Sequence, residues 1–100
     1  MIKHIVMFSL KDFAEGGTKN ENGIKVKELL ETLPSKIDLI REYEIGLNQR
    51  LSERSFDVVL TSAFDSWDDL DTYINHHEHK KAVEFVSKVR EDTKVVDYEI

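Results

Sequence analysis

Cysteine is absent from all 100 residues, which excludes disulfides, thiolate metal sites and a cysteine nucleophile and suits a reducing compartment. No apolar run approaches the ~18 residues that a membrane-spanning helix requires. Basic charge is scarce too: 14 Lys and Arg stand against 20 Asp and Glu, a net charge of −6. Nucleic acid and anionic membranes both demand a basic face, so neither is expected as a partner. No glycine-rich phosphate loop, dinucleotide fingerprint or serine-nucleophile motif occurs. The opening MIKHIVMFSL interrupts its apolar run with Lys3 and His4 and has no small-residue cleavage site, so it reads as a strand and not as a secretion signal. The expectation is one cytoplasmic domain over residues 1–100, serving a small neutral or weakly polar ligand or another protein.

What the chain does have is histidine in two places. His4 lies in the first apolar run, and His76, His77 and His79 crowd the segment Tyr73-Ile74-Asn75-His76-His77-Glu78-His79. Histidine alone titrates near neutrality unperturbed, so a cluster beside a tyrosine is the best candidate for proton-transfer or metal chemistry.

The periodicities set the frame. Ile2 to Leu10 alternates, placing His4, Val6 and Phe8 on one side and Ile5 and Met7 on the other. After a polar turn around Gly16 and Gly17, Thr18 and Glu21 match a capping box. Val26, Leu29, Leu30 and Leu33 keep helical spacing up to Pro34, the sole proline. Residues 40–47 and 56–63 read as two strands. Ser66 caps a second helix with a stripe of Trp67, Leu70, Tyr73 and Ile74, broken near the histidines and resuming from Glu78 to about Arg90. Residues 94–100 alternate again.

The order β-α-β-β-α-β is the ferredoxin-like arrangement, an α+β protomer with a four-stranded antiparallel sheet and both helices on one face. The other face then carries Ile5, Met7, Val59, Ala63, Val96 and Tyr98, too large an apolar patch for a monomer of this size. A homodimer packed sheet to sheet is expected.

Three segments, Ile2-Lys3-His4-Ile5-Val6-Met7-Phe8, Tyr73-x-x-His76-x-x-His79-Lys80 and Val95-Val96-Asp97-Tyr98, resemble the stress-responsive dimeric α/β-barrel (Dabb) family over nearly the whole chain. The resemblance implies a ferredoxin-like protomer that dimerises through its sheets into an α/β barrel. The family includes plant stress proteins, uncharacterised bacterial proteins and plant polyketide cyclases of the olivetolic acid type. Those cyclases close a polyketide by aldol condensation without a cofactor, using a tyrosine and a histidine that match Tyr73 and His79; a strand-one histidine matches His4. The chain departs where the plant enzymes line their pocket with aromatics, for Asn22, Gly23 and Arg90 stand there. His77 replaces the family's usual proline.

The residues alone allow the same trio to border one cavity if the His4 face lies under the helices; the alternative is a core tyrosine with a satisfied hydroxyl at Tyr73 and a half-buried packing histidine bonded to backbone at His4. His79 opens the stripe His79, Ala82, Val83, Val86 and Arg90, which should face the sheet. His4, Tyr73 and His79 are therefore the candidate catalytic residues, with His79 as base and the other two as polar orienters. Val6, Phe8, Leu60, Val83 and Arg90 are the candidate ligand-binding residues. No cofactor is called for. His76 and His79, with Asp69 or Glu78, have the composition of a metal site but no fourth convergent ligand, so no metal is assigned. The expected function is a small-molecule-binding protein, acting by acid-base chemistry on a carbonyl compound; the alternative is a non-catalytic stress-response or assembly protein.

Overall fold

The alternation at the start of the chain becomes an inner strand of the sheet. In the computed structural model, which describes residues 1–100, β1 spans Ile2–Leu10 and buries Ile2, His4, Val6, Phe8 and Leu10 on one face. Where the sequence showed only a polar turn, β2 (Phe13–Ala14) and β3 (Gly17–Thr18) form a small hairpin. Its corner residues Glu15 and Gly16 both have positive φ, 50° and 76°, the geometry of tight two-residue hairpin turns.

Helix α1 (Lys19–Glu31) opens on the expected capping box. The Glu21 N–H donates to the Thr18 hydroxyl at 3.2 Å, and the Thr18 N–H donates to the Glu21 carboxylate at 2.9 Å. Strands β4 (Glu42–Leu47) and β5 (Val58–Phe64) each begin two residues later than the alternation indicated. Helix α2 (Trp67–Asn75) opens on Ser66, whose hydroxyl accepts from the Asp69 N–H at 3.1 Å. Helix α3 (His77–Val89) follows after a single non-helical residue, His76.

Two expectations need correction. The buried seam of α2 is Leu70 and Tyr73 only; Trp67 is 47% exposed and Ile74 39%, because a helix of nine residues meets the sheet along a narrow line. The last strand starts earlier than Lys94: α3 passes directly into β6 (Arg90–Glu99), and Arg90 is a strand residue instead of the end of the helix.

The four long strands form one antiparallel sheet in the order β4-β5-β1-β6. This is the ferredoxin-like α+β fold. Register lines up the helix-covered face in rows across the sheet: Tyr43, Ser62, His4, Asp97; then Ile45, Leu60, Val6, Val95; then Leu47, Val58, Phe8, Thr93. The first row is polar and the second wholly apolar. On the opposite face, Lys3, Ala63 and Glu42 stand side by side, and Lys3 Nζ bonds Glu42 Oε1 at 2.5 Å across β5. That ion pair roofs Ala63, which is fully buried although it belongs to the outer face. Met7, Val96 and Tyr98 on the same face are exposed. No helix is long and apolar enough to cross a membrane.

Candidate acid-base site

A cavity of about 240 Å³ lies between α3 and the β1–β6 half of the sheet. His4, Tyr73 and His79 all line it, and so do the five candidate ligand residues Val6, Phe8, Leu60, Val83 and Arg90. Five further residues line it, Leu30, Ile74, Val86, Thr93 and Val95, none of them among the candidate ligand-binding residues. Ile74, Val83 and Val95 are partly open to solvent, so the cavity reaches the surface between α3 and the edge strand β6.

Each polar group is fixed by a local feature of the chain. His76 ends α2 and caps α3, its Nδ1 accepting the Glu78 N–H at 3.1 Å. The carbonyl of Ile74 is thereby left without its usual helical partner, one of the orphan acceptors at a helix end. His79 takes it up: its Nδ1 lies 2.9 Å from the Ile74 oxygen. A carbonyl only accepts, so Nδ1 carries the proton and Nε2 keeps the lone pair. Burial lowers the His79 imidazole below the ordinary histidine value, the neighbouring His4 and His76 lower it further, and the Ile74 bond opposes them. The net result is a neutral imidazole at pH 7 with a free basic nitrogen.

Tyr73 is fully buried beneath this imidazole, ring centroids 4.5 Å apart, with Phe64 at 4.9 Å on its other flank. Its hydroxyl meets that of Tyr43 at 2.8 Å. Burial pushes Tyr73 up to about 12, the Tyr43 bond pulling the other way, and burial raises Tyr43 further still. Tyr73 is thus the more acidic hydroxyl of the pair. His4 bonds Asp97 through Nδ1, so its Nε2 is the nitrogen left over. Its ring lies edge-on to Tyr73 at 6.3 Å. The Ser62 hydroxyl donates to the His4 carbonyl at 2.9 Å and completes the polar row.

Tyr43 and Asp97 escaped the sequence reading. Both become visible only once the strands are in register, since each faces His4 or Ser62 across the sheet. His76 and His77 stack on one another at 4.6 Å, and neither lines the cavity. No group of three His, Asp or Glu side chains has metal-binding geometry. Asn22 and Gly23 also lie off the cavity, contrary to the counting from the family pattern. The Asn22 amide instead donates to the carbonyls of Ala14 and Gly17 at 2.9 and 3.3 Å, fastening the small hairpin to α1.

Fold and site together define a ferredoxin-like α+β domain with a neutral histidine and a buried tyrosine, hydrogen-bonded to a second, half-buried one, at one end of an open cavity. The chain belongs to the stress responsive A/B barrel domain (Dabb) family, whose model matches residues 2–100. A dimeric protein of unknown function and ferredoxin-like fold from Bacteroides fragilis is 37% identical, with 99% of this chain and 95% of that chain covered and a TM-score of 0.83. A dimeric ferredoxin-like protein of unknown function from Thermobifida fusca is 22% identical, covering 99% and 90% at a TM-score of 0.85. The hydroxynitrile lyase of Passiflora edulis is 18% identical, covering 99% and 92% at 0.75. The last two likenesses show the fold alone. No curated protein matches the chain.

Proposed function

We propose that the protein binds a small carbonyl compound in this cavity and catalyses proton transfer on it without a cofactor, in the manner of a cyclase, an aldol enzyme or an isomerase. His79 Nε2 removes a proton from the carbon next to the carbonyl, and the C–H electron pair moves into the enolate. The Tyr43 hydroxyl donates to Tyr73, which frees the Tyr73 proton for a hydrogen bond to the developing enolate oxygen. His4, held by Asp97, orients the same oxygen. The enolate then either recovers that proton at carbon from the His79 imidazolium or attacks a second carbonyl carbon, whose π electrons go to its oxygen and take the proton from His79.

The observation that carries this reading is the bond from His79 to Ile74, which leaves a neutral imidazole with its basic nitrogen free beside an open cavity. A positioned base of this kind contributes about 10²- to 10⁴-fold in rate, so the substrate must already have an activated C–H. The test is deuterium uptake from D₂O at the α-carbons of a panel of ketones and β-keto acids, followed by NMR. Wild-type enzyme is expected to accelerate exchange on at least one, and His79→Ala to lose it; no acceleration across the panel overturns the reading.

A homodimer belongs to the same proposal. Ile5, Met7, Val59, Val96 and Tyr98 share the uncovered sheet face, and similar structures from two bacteria are dimeric. The alternative function, a non-catalytic stress-response or assembly protein, draws on the completely buried Tyr73, whose hydroxyl already has a partner in Tyr43. It requires ligand binding to be absent.

A further inference from the structure

The cavity has a second polar end. His4 and Asp97 mark one row of the sheet, and Phe8 and Thr93 mark the row two steps along β1. Four residues of strand separate them, about 13 Å at the usual rise. Between them the lining is Val6, Leu60 and Val95 from the sheet and Val83 and Val86 from α3, all aliphatic. Arg90 stands at the far end, beyond Phe8.

Arg90 is aimed by an irregularity in the backbone. In a regular strand, residues 90 and 93 would point to opposite faces. The register between β1 and β6 shifts at Ser9 and Leu10, so that Leu10 pairs with Arg90 while Ser9 pairs with Asp92. Glu91 is the extra residue of a β-bulge, a device that re-aims a side chain. Arg90 and Thr93 consequently share the helix-covered face, and Arg90 Nη1 donates to Thr93 Oγ1 at 2.5 Å. No carboxylate pairs with Arg90: the ion pairs of this region are Lys94 with Asp92 and His4 with Asp97. Of the groups lining the cavity, only this guanidinium carries a fixed charge, and most of its five donors are unused.

We infer that Arg90 is the specificity-determining residue of this cavity and that the ligand is an elongated carboxylate, with its acid group on the guanidinium, an aliphatic middle along the valines, and its reactive carbonyl at the His79 end. A medium-chain oxo acid has this shape. The volume equals about eight water molecules at liquid density, enough for a short aliphatic chain. The overall charge of −6 argues for a neutral ligand, but Arg90 is a cation on the cavity wall that no carboxylate pairs with.

The inference rests on the cavity being a ligand site, as proposed above, and the test separates the two. Binding of octanoate and of octan-1-ol is measured by titration calorimetry on wild type, Arg90→Gln and Arg90→Lys. The expected result is that octanoate binds wild type about tenfold or more tightly than the alcohol, as a charge-assisted hydrogen bond supplies. Arg90→Gln should erase that preference while leaving the alcohol unchanged, and Arg90→Lys should restore part of it. Equal binding of acid and alcohol, or a preference that survives Arg90→Gln, overturns the anionic ligand and leaves the carbonyl site standing. Binding of neither overturns the elongated aliphatic ligand, while the carbonyl site stands or falls on the exchange test above. A cation is also favoured at the C-terminus of α3, so a loss of stability in Arg90→Gln is compatible with either role, and the ligand preference decides.

Discussion

The Nδ1–H of His79 is bonded to the carbonyl of Ile74, five residues back across the break between α2 and α3. In a continuous helix that carbonyl would receive the N–H of Glu78, but His76 Nδ1 takes the Glu78 N–H instead. The helix break and the histidine tautomer are therefore one structural event. His76→Ala should cost about 0.5–2 kcal/mol through the lost cap. It should also let Glu78 compete for the Ile74 carbonyl, so that the His79 ring populates both neutral tautomers, visible in its imidazole ¹⁵N shifts. A folded His76→Ala protein with an unchanged His79 spectrum would separate the two.

His77 occupies the first position of α3, where the Dabb pattern usually has proline. That position needs no backbone N–H bond, and His76 before it is already extended, with φ −66° and ψ 138°. Proline at this site stiffens the unfolded chain without straining the folded one. His77→Pro should stabilise the protein by about 0.4–1 kcal/mol, read from the midpoint of urea unfolding at constant slope. Destabilisation would mean that the stack of His77 on His76 contributes more than the backbone gains.

The direction of the His79 shift gives a pH dependence with a definite sign. Above the ordinary histidine value, near 6.5, the ring is neutral in both folded and unfolded chains and pH has no effect through it. Below that value the unfolded chain takes up a proton that the folded state resists, because burial penalises the imidazolium. Stability should therefore fall as pH drops from about 6.5 to His79's own lower value, and level off beneath it. Urea midpoints between pH 7.5 and 4.5 test this, with His79→Gln as the reference. A wild type that loses no more stability than His79→Gln over that interval contradicts the shift.

Tyr43 and Tyr73 hold each other's hydroxyls, and Tyr73, the fully buried member, bonds no other protein group through its own. Tyr43→Phe strands the Tyr73 hydroxyl and should cost about 1–3 kcal/mol, the penalty of a buried polar group left unpaired. Removing both hydroxyls removes the penalty as well. The double variant Tyr43→Phe with Tyr73→Phe should accordingly be less destabilised than the sum of the two singles, by an interaction energy of about 0.5–3 kcal/mol. Strict additivity would show that the pair is not coupled.

The sequence resolved most of the frame because its signals were local. Thr18 with Glu21, Ser66 with Asp69, and the alternation from Ile2 to Leu10 each needed only a few neighbouring residues, and each appears where the spacing put it. Helical period puts Trp67 and Ile74 on the buried stripe, yet both are exposed, because it fixes a direction but not how far the sheet extends beneath the helix. The site was legible in the same partial way. His4, Tyr73 and His79 announce themselves by residue type, whereas Tyr43, Asp97 and the bulge that sets Arg90 on the cavity's face depend on strand register, a long-range property that no single segment encodes.

Register also makes the proposed dimer testable at one residue. Val96 lies opposite Ile5 on the uncovered face of the sheet and is 58% exposed, so the isolated protomer has no use for its apolar side chain. A glutamate there is harmless in water, but two copies packed sheet to sheet would have to bury its carboxylate without a cationic partner, at a cost of several kcal/mol. Val96→Glu should therefore leave the far-ultraviolet circular dichroism spectrum unchanged and shift the sedimentation coefficient from dimer to monomer at micromolar concentration. A Val96→Glu protein that remains dimeric places the subunit contact elsewhere than on this face. The same variant bears on the cavity, which opens on the other side of the sheet between α3 and β6: octanoate binding by a monomeric Val96→Glu protein should persist, because the cavity lies on the helix-covered face, away from the proposed subunit contact.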